Sequence, residues 1–163
     1  MRLSLCFIAL FALFTLQNAN AQTLHQTFGD WKVFTHKDGS NTLCYIASTP
    51  IKKDGNFSRR DDPFVLVTFR SARTDEISVS SGFPYKKGSE VSLKADKKEF
   101  KLFSQNDRAW AYDEKEDSQI IDRIAKGKTM MVKGTSQKGT FAEDTYSLTG
   151  FTKAHRAMKA LCK

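Results

Sequence analysis

Between Trp31 and Gly150 the chain is written in strand-length runs whose apolar and polar residues alternate, broken by turn formers roughly every ten residues. Trp31, Val33 and Thr35 alternate with Lys32 and Phe34. Leu43, Tyr45 and Ala47 point one way, and Cys44, Ile46 and Ser48 the other. Ile77 and Val79 alternate with Ser78 and Ser80, Val91 and Leu93 with Ser92 and Lys94, and Phe100 and Leu102 with Lys101 and Phe103. The turn-rich segment 37–41, Pro50, Gly82-Phe83-Pro84 and the charged turn 95–98 separate these runs. No regular alternation of strand with helix occurs, so a parallel sheet is excluded. The pattern predicts an all-β fold, an antiparallel β-sandwich or partly closed barrel, with two short accessory α-helices.

The helices are expected at about 117–126 and about 152–162. Ile120, Ile121 and Ile124 form the buried side of the first, Asp117 or Ser118 caps it, and Gly127 stops it. The acidic run 113–117 ahead of it suits the helix dipole and needs no ligand to explain it. In the last third, strand 130–133, the Gly-bracketed turn 134–139 and a strand through Tyr146 and Leu148 lead into the second helix. Phe151, Ala154, Met158 and Leu161 make its stripe, and Thr152 is placed to cap it. Residues 22–28 read as a polar lead-in and 51–63 as a loop of mixed charge. Phe64–Phe69 reads as the central buried strand, and Trp31, Phe64, Phe69, Phe100, Phe103 and Trp110 read as core.

Residues 1–21 have the form of a secretory signal. Arg2 precedes the apolar run 3–16, and Ala19-Asn20-Ala21 supplies a small-x-small cleavage site. The run is too short to span a bilayer, which takes about 20 apolar residues. Cleavage would leave a single domain, 22–163, with no membrane-spanning segment, in the periplasm or secreted to the outer envelope. Losing Arg2 lowers the net charge from +8 to +7. So basic a product favours acidic partners, although lysines also keep β-proteins soluble and their edges unpaired. Nucleic acid is not among the expected partners, because no nucleic-acid-binding signature is present. Cleavage also removes Cys6 and leaves Cys44 and Cys162. An intramolecular disulfide is expected of this pair, with free thiols or an interchain bond as the alternatives.

The search for chemistry returns no catalytic residue, metal set or cofactor. His25, His36 and His155 lack a second ligand at metal-binding spacing. Segment 134–139 is not a nucleophile elbow, and the carboxylates of 113–117 are expected to be exposed, with nothing to separate their pKa values. His155 with a nearby hydroxyl or carboxylate is the one hydrolase alternative. Lys86, Lys87, Lys94, Lys97, Lys98 and Lys101 would form a polyanion site, for glycan or anionic lipid, if they gather on one face.

Several short motifs occur in order: Gly29-Asp30-Trp31, the run 44–48 (CYIAS), 64–68 (FVLVT), Gly82-Phe83-Pro84, 100–103 (FKLF), Ala109-Trp110-Ala111, 133–136 (KGTS) with Gly139-Thr140, and 144–151 (DTYSLTGF). Together they resemble the invasion-associated locus B family of bacterial exported proteins over nearly the whole segment 22–163. The resemblance implies a periplasmic or envelope-associated, non-enzymatic protein with an envelope or host-surface partner; some members are linked to host-cell invasion. It carries over no catalytic residues. Many members have a cysteine soon after the tryptophan, where Thr35 and His36 stand here, so a relative could pair its two early cysteines instead.

Overall fold

The structure is a computed structural model that describes residues 22–71 and 74–162. The expected signal segment, with Cys6, lies outside the described residues. Eleven strands follow in chain order: β1 (Gln22–Phe28), β2 (Trp31–Asp38), β3 (Asn41–Ser48), β4 (Lys52–Gly55), β5 (Phe64–Phe69), β6 (Asp75–Ser80), β7 (Glu90–Ala95), β8 (Lys98–Gln105), β9 (Arg108–Trp110), β10 (Thr129–Thr135) and β11 (Phe141–Ser147). Helix α1 (Glu114–Ile124) lies between β9 and β10, and α2 (Phe151–Leu161) follows β11. All the strands join one antiparallel sheet in the order β1-β2-β3-β5-β6-β9-β8-β7-β10-β11-β4. The sheet rolls up: the Trp31 indole N–H on β2 donates to the Ser147 carbonyl on β11 at 3.0 Å, and the Asp30 N–H donates to the Thr149 carbonyl at 3.1 Å. Strands one in from either edge thus meet, giving the all-β, partly closed architecture with two short helices that the alternation predicts.

The inner face carries the core. Trp31, Val33, Cys44, Ile46, Val65, Val67, Ile77, Val79, Leu93, Leu102, Met130, Val132 and Tyr146 are buried there. α2 lays Phe151, Ala154 and Met158 over β1, β2 and β3, with the Phe151 ring edge-on to Trp31 at 4.9 Å. Its end is tied to β3 by the Cys44–Cys162 disulfide, with Cα atoms 6.2 Å apart. The intramolecular disulfide expected of this pair is therefore present.

Several local expectations are corrected. The polar lead-in 22–28 is strand β1: as an edge strand exposed on both sides, it needs no apolar face to declare itself. The loop 51–63 contains β4, four charged or small residues paired with β11. β10 runs on through Gly134, opposite Ala142, so the turn shrinks to 136–139. There a side chain at Gly134 would strike the Tyr85 ring.

α1 starts earlier than expected because Asp113, not Asp117 or Ser118, is its cap. The Asp113 carboxylate accepts the Glu116 N–H at 2.8 Å, and the Glu116 carboxylate accepts the Tyr112 N–H at 3.1 Å. This is a variant of the reciprocal capping box. At α2 the cap position is Gly150, at φ 93° and pressed against the Phe28 carbonyl. Thr152 instead donates to the Ala125 carbonyl at 3.3 Å, which joins the start of α2 to the end of α1. Leu161, assigned to the apolar stripe, is exposed, since the disulfide rather than burial anchors that turn.

Candidate functional site

β5 is one-sided. Val65, Val67 and Phe69 point inward, while Phe64 and Leu66 sit half-buried on the outer face. Trp110 and Phe103 also face outward, so the assignment of Phe64, Phe103 and Trp110 to the core is wrong. The cause is the strict period of two: inward Ala109, Phe100 and Leu102 leave their neighbours on the opposite face.

Cross-strand register lines these residues up. Lys32, Ala47, Leu66, Ser78, Trp110, Phe103 and Glu90 form one row across β2-β3-β5-β6-β9-β8-β7. Leu24, Phe34, Tyr45, Thr68 and Glu76 form the next row, from β1 to β6. Phe34 stacks on Tyr45 at 5.4 Å between ring centroids, and Phe103 on Trp110 at 5.7 Å. Arg108 sits between the two pairs, its guanidinium 4.7 Å from the centre of the Phe64 ring, which holds the charge on the surface with no acidic partner among the described residues. Two shallow hollows of about 380 Å³ each share Tyr45, Leu66 and Arg108. Burial raises the pKa of the Tyr45 phenol, opposed by a hydrogen bond with Gln22 and by the charge on Arg108. Tyr45 therefore presents a neutral O–H. The alternation of Phe34 against Trp31 and of Tyr45 against Cys44 already puts both rings on this face. Sequence reasoning missed the site by counting aromatics as core regardless of parity.

At the opposite surface, His155 Nε2 lies 2.7 Å from Asp75 Oδ2, and Lys159 Nζ is 3.1 Å from the same oxygen. The His155 ring stacks on Phe151 at 5.6 Å. Burial pushes the Asp75 carboxyl up, but the hydrogen bonds and charges of His155 and Lys159 outweigh it, so the net direction is down. This arrangement clamps α2 to β6: the ring nitrogen facing Asp75 is occupied, and the imidazole is packed against its own helix. His25 donates to or accepts from the Thr35 hydroxyl at 2.8 Å, and His36 borders one of the outer-face hollows. Among the described residues no group of three or more His, Cys, Asp or Glu side chains could hold a metal ion.

The acidic run also departs from expectation. Asp117 turns inward and accepts the Ile77 N–H at 2.8 Å. β9 is too short to reach that donor, because its pairing with β6 covers only Ser78 and Val79. Burial raises the Asp117 carboxyl to about 6, with Glu76, Asp113 and Glu114 adding to the rise and the Ile77 bond opposing it. The six lysines do not share a face. Lys94 and Lys101 lie on the outer face of β7 and β8 around Glu99, which pairs with Lys101 at 2.9 Å. Lys98 lies over the Phe100 ring beside α1, Lys97 is in the turn beyond β7, and Lys86 and Lys87 precede β7 at its other end.

These features define a class: a rolled antiparallel sheet whose C-terminal helix is held by a disulfide and an ion-pair clamp, with aromatic side chains on its free outer face. The comparisons agree. The family model described as "Invasion associated locus B (IalB) protein" matches residues 31–159, and the chain belongs to that family. Among solved structures, the crystal structure of invasion associated protein B from Bartonella henselae is similar, with a TM-score of 0.61 at 16% identity over 85% of this chain and 98% of that one. That likeness supports the fold. The comparison with curated proteins gives no match.

Proposed function

We propose that this chain is an exported, non-enzymatic protein of the bacterial envelope, and that it works by binding an acidic protein partner across the outer face of β2-β3-β5-β6-β9. The observation that carries this reading is the outer-face cluster of Phe34, Tyr45, Phe64, Leu66 and Trp110, with Phe103 on neighbouring β8, around Arg108. Tyr, Trp and Arg are the residues that dominate protein interfaces, and an apolar patch of this kind, rimmed by charge, is a mark of such a surface. The basic composition supports an acidic partner. Family membership supports placement in the envelope, and the likeness to the invasion associated protein of Bartonella henselae supports an invasion-associated role. No helix among the described residues is long and apolar enough to cross a membrane.

The test is in-cell photo-crosslinking from Tyr45 and Trp110, with Lys153 on α2 as a control position. The same acidic protein should be captured from both outer-face positions, and capture should be lost with Arg108→Glu. Equal capture from Lys153, or capture indifferent to Arg108→Glu, refutes the reading. Export is tested separately: the N-terminus of the periplasmic form should be Gln22.

A further inference from the structure

A second region is unlike the outer face. The chain after β4 folds back across the mouth of the roll and delivers Arg60 inward. The Arg60 guanidinium grips Asp144 on β11 through two bonds of 2.5 and 2.6 Å and also donates to the Ser81 carbonyl at 2.9 Å. Both side chains are almost wholly buried, at 3% and 0% exposed. Phe57 lies 4.0 Å from the guanidinium and fixes its plane. Among the described residues one donor of this guanidinium, Nε–H, has no partner although it is buried, and the Tyr146 hydroxyl on the same strand as Asp144 is likewise unpartnered. Leaving a buried donor unmade costs about 1–3 kcal/mol.

Beside this pair is a cavity of about 390 Å³ walled by three turns: 59–61, Gly82-Phe83-Pro84 and 136–140. That volume is in the range of small-ligand sites. The walls are interlocked: the Asp61 N–H donates to the Gly82 carbonyl at 2.9 Å and the Gln137 N–H to the Pro84 carbonyl at 3.0 Å. Gly82, at φ 76°, lies so close to the Asp61 backbone that no side chain fits there. The cavity is lined by three cations, Arg59, Arg60 and Lys138, against one carboxylate, Asp61. Asp144 answers Arg60, whereas Arg59 and Lys138 enter no ion pair among the described residues. The wall amides of Ser136, Gln137 and Gly139 are already spent on backbone carbonyls, so side-chain charge rather than a run of these amides faces an anion here.

We propose that this cavity binds a small carboxylate, the end or acidic side chain of a peptide, with Arg59 and Lys138 meeting its charge and Arg60 anchoring the floor. The site is separate from the outer aromatic face and does not depend on it. The test titrates the purified protein with N-acetyl-dialanine, with its C-terminal amide, with N-acetyl-aspartate α-amide (free side-chain carboxylate only) and with inorganic phosphate, following backbone amide shifts by NMR. We expect saturable shifts confined to Gly82, Gln137, Lys138 and Gly139 with one or both carboxylates. The dialanine free acid responding identifies a chain terminus, and the aspartate α-amide an acidic side chain. The Arg59→Gln, Lys138→Gln double variant leaves the buried Arg60–Asp144 pair in place and should weaken binding at least tenfold. Equal shifts with the dialanine amide, tighter binding of phosphate, no saturable shift with either carboxylate, or unchanged binding by the double variant would each overturn the assignment.

Discussion

Replacing Asp117 with asparagine tests how α1 is attached to the sheet. In the fold the Asp117 carboxyl titrates at about 6 instead of the usual 3.8, because it is buried and surrounded by Glu76, Asp113 and Glu114. A raised folded-state pKa means the neutral form is the one the fold favours. The associated stability is complete below about pH 4 and is lost as pH rises through about 6. A shift of about two units corresponds to about 3 kcal/mol, an upper value for a group that keeps its bond to the Ile77 N–H in both forms. The asparagine amide would keep an oxygen for that bond and never carry the charge. Urea unfolding of both proteins from pH 4 to 7.5, extrapolated to water, gives the difference. Relative to the parent, Asp117→Asn should gain about 2–3 kcal/mol across that interval, most of it between pH 4 and 6. Other titrating groups cancel in the difference. A difference flat with pH would show that the carboxyl is not desolvated at the α1–β6 contact and refute the reasoning.

Three further outcomes follow from the same contacts. Arg60→Met strands the Asp144 charge in the interior and should cost about 3–5 kcal/mol in urea unfolding, whereas Arg60→Met with Asp144→Leu should recover more than half of that loss. Reducing the disulfide, or Cys44→Ser with Cys162→Ser, opens a loop of 118 positions and should cost about 5 kcal/mol on the chain-entropy estimate; α2 amides should lose hydrogen-exchange protection before those of β5. Asp75→Asn removes the shared partner of His155 and Lys159 and should cost about 1–3 kcal/mol at pH 7. Because the folded-state pKa of Asp75 is depressed, that cost should shrink as pH falls below 3.8, which acid unfolding of the two proteins would measure.

Much of the fold was legible because a period of two is hard to mimic. The hairpin of β7 and β8, the β2–β3 pair and the tie of the C-terminal helix to an early strand all read from residue order alone. What escaped was whatever a strand can do without an apolar face. β1 and β4 are edges, held by backbone bonds that any side chain permits. Asp113 and Asp117 both stood in an acidic run. Which one capped α1 depended on where β9 stopped, and no local pattern records that.

The candidate site illustrates the same limit more sharply. Parity places Phe34, Tyr45, Phe64, Phe103 and Trp110 opposite a core already filled by Trp31, Cys44, Val65, Leu102 and Ala109. A strand flanked on both faces by protein would hide such residues, as buried parallel sheets do. Here the two helices leave the outer face of β2-β3-β5 uncovered: α2 sits on the inner side of these strands, and α1 packs mainly on β6 and β7. The aromatics are therefore surplus to closing the roll. Their exposure costs solubility, and the stacked pairs and Arg108 above Phe64 offset only part of that cost. A surface kept apolar where the fold does not require it is the physical reason to look for a partner there rather than at His155, whose contacts are accounted for by the clamp.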